Sequence, residues 1–123
     1  MNLRRLQKSI HDAIRGLVSL WQHEQNFRLE IVVGTFFLFL SLILPMTNAA
    51  RAEIMLLSTM VIVLEAINSA MEHLLDLLKP RLHDQVKLIK DIMAGTVLLA
   101  SIGAAVAGAF ILVGPLIEIV HQL

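Results

Sequence analysis

The sequence predicts an all-α membrane protein in which an amphipathic surface helix precedes three transmembrane helices. Three observations carry that expectation. The 123-residue chain is 57% hydrophobic, with a mean hydropathy of +0.77, outside the range of soluble domains. Three apolar stretches are each long enough, at ~1.5 Å per residue, to cross a hydrocarbon core ~30 Å thick once flanking residues are counted. The basic residues gather at alternate ends of these stretches, as in a multi-span protein whose Lys- and Arg-rich segments stay in the cytoplasm.

The surface helix is expected within residues 1–26. Leu3, Leu6, Ile10, Ile14, Leu17, Val18 and Trp21 recur at helical spacing, and Arg4, Arg5, Lys8, Asp12 and Arg15 fill the other side. Such a helix lies in the inner interface with Trp21 near headgroup level. The plainer alternative is a helix packed flat on the bundle without a ligand role. No cleavable signal peptide is expected, because this basic segment lacks an apolar core and a small-residue cleavage site.

The spans are expected at about 27–46, 54–78 and 92–117. Pro45, Pro80 and Pro115 fall near or just past their ends, where a helix stops at little cost. Gly103, Ala104, Ala107 and Gly108 form small-xxx-small pairs in the third, read as close helix packing. Arg4, Arg5, Lys8, Arg15 and Arg28 precede or open the first span, only Arg51 lies between the first two, and Lys79, Arg81, Lys87 and Lys90 separate the second from the third. This asymmetry puts the N-terminus and residues 79–90 in the cytoplasm and the C-terminus outside. The absence of cysteine excludes disulfides, thiolate metal sites and a cysteine nucleophile, and the zero formal net charge argues against a nucleic-acid partner.

One feature of the second span points to chemistry. After Val61-Ile62-Val63-Leu64 come Glu65, Asn68, Glu72 and Asp76, spaced three, four and four apart. At ~100° per residue they share one stripe of a helix. A charged group at bilayer depth costs at least ~2.5–3.5 kcal/mol on insertion scales, and so usually marks a functional site. The bland reading is a set of polar residues that bond helix to helix, which Asn68 alone would favour. Acidic oxygens at this density also invite a divalent cation.

Two further clusters sit at the same membrane level. His83, Lys87, Lys90 and Asp91 lead into the third span, and a lysine beside a carboxylate-bound metal suits phosphoryl transfer, where charge must be neutralised on several sides. Glu24 and Glu30 bracket Asn26-Phe27-Arg28 at the start of the first span. Mg²⁺ bound with a nucleotide takes one or two carboxylates plus phosphate oxygens and water, so two glutamates from different helices would serve. Neither a G-x-x-x-x-G-K-[ST] nor a G-x-G-x-x-G loop occurs. The five histidines show no zinc spacing on a common face, which argues against a structural zinc site.

These residues resemble a known family, the small prokaryotic diacylglycerol kinases, which include the undecaprenol kinases. The resemblance covers nearly the whole chain. It rests on Glu65-x-x-Asn68-Ser69-Ala70-x-Glu72-x-x-x-Asp76, on His83 followed by Lys90-Asp91-x-x-Ala94-Gly95, and on Glu24-x-Asn26-Phe27-Arg28. It implies a homotrimer in the bacterial cytoplasmic membrane, with active sites shared between neighbouring subunits and with ATP and Mg²⁺ as cosubstrate and cofactor. Matched position by position, Glu65 is implied as the general base, and Glu24 and Glu72 as Mg²⁺ ligands that meet ATP through the metal. Arg5, Arg81, Leu82, His83, Lys90 and Asp91 are implied in nucleotide binding, with Arg5 also near the transferred phosphate. Asn26, Phe27, Arg28, Leu29, Glu30 and Asn68 are implied near the lipid head.

The chain departs from the family pattern at Ala13, where some members carry a hydroxyl, and at Leu88 and Ile89, where many are small. The Asp76-x-x-x-Pro80-x-x-His83 stretch leans toward the undecaprenol kinase branch. Diacylglycerol as the lipid stays open, as does a non-kinase pore or transport oligomer lined by Glu65 and Glu72. Because Glu24 lies on a different helix from Glu65 and Glu72, the two sets can belong to different chains.

Overall fold

The computed structural model describes residues 2–78 and 83–122. It contains four α-helices, α1 (Leu3–His23), α2 (Gln25–Ile43), α3 (Asn48–Leu78) and α4 (His83–Gln122), and no strand among the described residues. Gln25–Ile43, Asn48–Leu77 and Asp84–His121 are each long and apolar enough to cross a membrane. Most of their apolar side chains face outward, among them Phe36, Phe39, Leu56, Leu99 and Phe110. That is tolerable where hydrocarbon replaces water and the helical backbone is bonded internally.

α1 and α2 are separated by a single residue. Glu24 is extended (φ −106°, ψ 113°), ending one helix and starting the next. Its N–H donates to the Leu20 carbonyl at 2.8 Å and its carbonyl accepts from the Arg28 N–H at 3.3 Å. The Arg28 guanidinium donates to the Trp21 and Gln22 carbonyls at 3.0 and 3.2 Å, satisfying acceptors that the end of α1 leaves open. Every residue of α1 is exposed except the half-buried Leu20.

At the opposite end of α2, Thr47 Oγ1 accepts from the Ala50 N–H at 3.1 Å, which caps the start of α3. Arg51 Nε donates to the Ser41 carbonyl at 3.0 Å and Nη1 to Asn48 Oδ1 at 3.2 Å, so this arginine staples the turn between α2 and α3. Leu44, Ile54 and Leu112 form the buried apolar cluster here, packed by Phe37 and Leu40. α3 is the central rod, with α2 and α4 both packed on it.

Three details differ from the sequence expectation. α4 begins at His83, ahead of the apolar span: Asp84 supplies the acidic first turn that a helix N-terminus favours, and Val86 is buried four residues before Lys90 on the same face. Pro115 lies inside α4, which runs on to Gln122; the ring costs one backbone donor without ending the helix. Close packing within the chain falls at Gly34, where a Cβ would meet Ile62 Cδ1 at 3.2 Å and Ser58 Cβ at 3.3 Å, whereas at Gly103 and Gly108 it would meet nothing of the same chain within 4 Å.

Candidate active site

The acidic stripe of α3 is buried where it matters. Glu65 is 3% exposed and Asn68 5%, although each is flanked along the helix by apolar neighbours that could have taken those positions. The polar face turns toward the first turns of α2: the Asn26 amide bears on the Glu65 carboxylate, and the charges of Glu30, Glu72 and Glu24 act on it as well. One turn further along, Asn68 Nδ2 donates to Glu72 Oε1 at 3.5 Å, a long contact. Asn68 Oδ1 is buried and has no hydrogen-bond partner.

Four carboxylates around one point repel one another, and a cluster of this kind is held together by a cation or by donors. Among the described residues, no three His, Asp or Glu side chains converge tightly enough to hold a metal by themselves. The donor chemistry nevertheless fits Mg²⁺, which needs only one or two carboxylates when phosphate oxygens and water complete its shell. Glu24 and Glu72 are hard oxygen donors, and the unsatisfied Asn68 Oδ1 adds an acceptor between the buried and the accessible part of the stripe.

The other expected residues fall into three groups. Phe27 is buried at 2% exposure and seats the start of α2, while Leu29 is exposed and Glu30 half-buried. Lys90 Nζ lies 2.7 Å from Asp76 Oδ1, joining α4 to the acidic helix, and the neighbouring Asp91 is exposed. Arg5 is exposed near the start of α1, about 28 Å from Glu24 along the helix axis at ~1.5 Å per residue. Arg81, Leu82 and the side chain of His83 lie outside the described residues.

Two relationships were not legible in the sequence. Glu24 and Glu30 share an electrostatic neighbourhood with Glu65 of the same chain, so these two sets need no second subunit to meet. His73, one residue after Glu72, places Nε2 3.6 Å from Glu24 Oε1. The histidine's only sequence signal was its place beside the stripe, because its partner is remote along the chain. Ala13, the position lacking a hydroxyl, lines a shallow depression between α1 and α3 together with Ala70 and His73.

A second concavity runs between α2 and α4 with α3 as its floor. It encloses about 530 Å³, its walls are apolar side chains such as Val33, Phe37, Val61 and Leu112, and Glu30 lies in its lining.

With this arrangement in view, the comparisons with known proteins are decisive. The prokaryotic diacylglycerol kinase pattern matches residues 11–112. The chain belongs to that family. A diacylglycerol kinase of Synechocystis sp. is 32% identical over 112 residues, covering 90% of this chain and 64% of the relative. The undecaprenol kinase of Bacillus subtilis is 28% identical over 109 residues, covering 89% of each. The chain thus spans a little under two thirds of the cyanobacterial relative and most of the Bacillus one. The stretch matched to the family contains the whole α2–α3 carboxylate cluster and the Lys90–Asp76 pair, and leaves Arg5 before it.

Proposed function

We propose that this protein is an ATP- and Mg²⁺-dependent kinase of a membrane lipid alcohol, undecaprenol or diacylglycerol, working at the cytoplasmic face of the bacterial inner membrane. The observation that carries this reading is the buried Glu65 carboxylate facing Asn26, Glu24 and Glu30 across two helices. A buried acid with acidic neighbours and an amide is costly as mere scaffolding, and is the equipment needed to accept a proton beside a cation.

In this reading Glu65 takes the proton of the lipid hydroxyl while that oxygen attacks the terminal phosphorus of ATP. The bond to the ADP oxygen breaks, giving lipid phosphate and ADP. Proton removal by a positioned carboxylate is typically worth ~10²–10⁴-fold. Glu24 and Glu72 hold Mg²⁺, which when bound offsets charge on the phosphate oxygens. Lys90 and Asp91 bind the nucleotide, Lys90 toward the phosphates, with Arg81, Leu82 and His83 around the base. Asn26 to Glu30 and Asn68 meet the lipid head. The apolar concavity supports a lipid approaching sideways, because Glu30 sits on its lining.

The protein works as a homotrimer with a cytoplasmic N-terminus and α1 lying in the membrane interface. The exposed run of Leu3, Leu6, Ile10, Ile14 and Leu17 opposite Arg4, Lys8 and Arg15 supports that place for α1. The distance of Arg5 from Glu24 supports an assembly in which Arg5 serves a neighbouring subunit's site. Purified protein in mixed micelles with ATP, Mg²⁺ and either lipid should produce phosphorylated lipid. Failure to phosphorylate either alcohol would refute the proposal, and comparison of the two identifies the substrate.

A further inference from the structure

Phosphoryl transfer as proposed gives no task to His73, yet its ring is set with unusual definition. Nδ1 lies 2.8 Å from the Ser69 carbonyl one turn back. A carbonyl can only accept, so Nδ1 carries a proton, and whenever the ring is neutral its lone pair stands at Nε2. That nitrogen faces Glu24 Oε1 at 3.6 Å, too far for a hydrogen bond, and two lone pairs turned toward each other repel unless a cation lies between them. Metal-bound histidines have this construction: a backbone carbonyl fixes one nitrogen so that the other is free to ligate.

The separation is also informative. Nitrogen and oxygen donors ~2.0–2.2 Å from a four-coordinate transition-metal ion stand about 3.3–3.6 Å apart. Adjacent donors of octahedral Mg²⁺, at ~2.0–2.1 Å, stand only about 2.9 Å apart. Both side chains are open to an arriving ion, His73 at 64% exposure and Glu24 at 26%. Glu24 also belongs to neither helix, and its side chain makes no capping bond, which leaves the carboxylate available.

We propose that His73 Nε2 and Glu24 Oε1 together ligate a divalent transition-metal ion such as Co²⁺ or Zn²⁺ at the nucleotide site, so that this protein accepts such ions in place of Mg²⁺ more readily than oxygen ligands alone would allow. Imidazole favours these ions, whereas Mg²⁺ takes oxygen donors. The inference rests on the reading of Glu24 as a metal ligand and adds a nitrogen to it.

The test is pulsed electron paramagnetic resonance at liquid-helium temperature on the whole chain, labelled with ¹⁵N-histidine and loaded with Co²⁺ and ADP. Adenine nitrogens remain ¹⁴N and are told apart from the label. A ¹⁵N coupling to Co²⁺ is expected in the wild type and should vanish in both His73→Ala and His73→Gln, with circular dichroism confirming the helices. The ratio of Co²⁺ to Mg²⁺ affinity should fall about tenfold or more in either variant, in line with loss of a ligand. Co²⁺ bound without ¹⁵N coupling, or with a coupling that survives both substitutions, overturns the histidine ligand and leaves Glu24 in place. No Co²⁺ bound in the presence of ADP overturns the metal reading of Glu24 as well.

Discussion

The Lys90 ammonium stands 2.7 Å from the Asp76 carboxylate, an ion pair that ties the beginning of α4 to the last turns of α3. The side chains are 26% and 52% exposed, so water screens the attraction and the pair is a weak source of stability. Its consequence is positional, since it holds the ammonium beside the accessible end of the acidic stripe. Asp76→Asn should leave the thermal midpoint in micelles nearly unchanged while raising KM for ATP several-fold. An unchanged KM would show that Lys90 finds its place without Asp76.

Glu65→Gln should lower kcat by at least ~10²-fold while nucleotide binding and helicity persist, because the amide has the shape of the acid but accepts no proton at neutral pH. Turnover is read from phosphorylated lipid and binding from calorimetry with ADP. Wild-type turnover in this variant would remove Glu65 from the base role.

Glu72→Gln and Glu24→Gln should each shift the Mg²⁺ dependence of activity to higher concentration, since each removes one anionic oxygen from a hard cation. Titration of activity with Mg²⁺ at saturating ATP is the measurement. Curves that overlay the wild type for both variants would place the metal elsewhere.

Subunit complementation separates residues that share a chain from those that do not. Glu24 and Glu65 lie in one neighbourhood within a single chain, so dissociated and co-reassembled Glu24→Gln and Glu65→Gln proteins should stay inactive. Arg5 lies far along α1, and mixtures of Arg5→Ala with Glu65→Gln should recover activity above either variant alone. Recovery in the first mixture, or none in the second while reassembled wild type recovers, would reverse this assignment.

Gly34 packs closely on α3, against Ser58 and Ile62. Gly34→Leu must push Ser58 and Ile62 aside, and should destabilise the fold by about 1–3 kcal/mol, the usual cost of overpacking. A denaturation midpoint equal to wild type would show that α2 can slide on α3 without penalty.

Whatever depends on neighbours along the chain is readable from the residues alone. Apolar runs long enough to span a bilayer and the spacing of Glu65, Asn68 and Glu72 are both local, because a helix converts spacing into a face without reference to any other element. That the acids would lie together on one side of α3 was therefore readable before any fold was known. The extent of α4 was less so: the apolar signal begins at Ile92, yet Val86 is buried and Lys90 pairs with Asp76 of α3 near the helix start at His83, and beyond Pro115 Ile119 packs on the cluster of Leu44, Ile54 and Leu112. Which residues meet across helices emerges from the packed fold. Asn26 on Glu65, His73 on Glu24 and Lys90 on Asp76 depend on how α2 and α4 cross α3 and on the one-residue break at Glu24. Crossing geometry is set by side-chain interdigitation over the whole contact, as at Gly34, and no single stretch of sequence carries it.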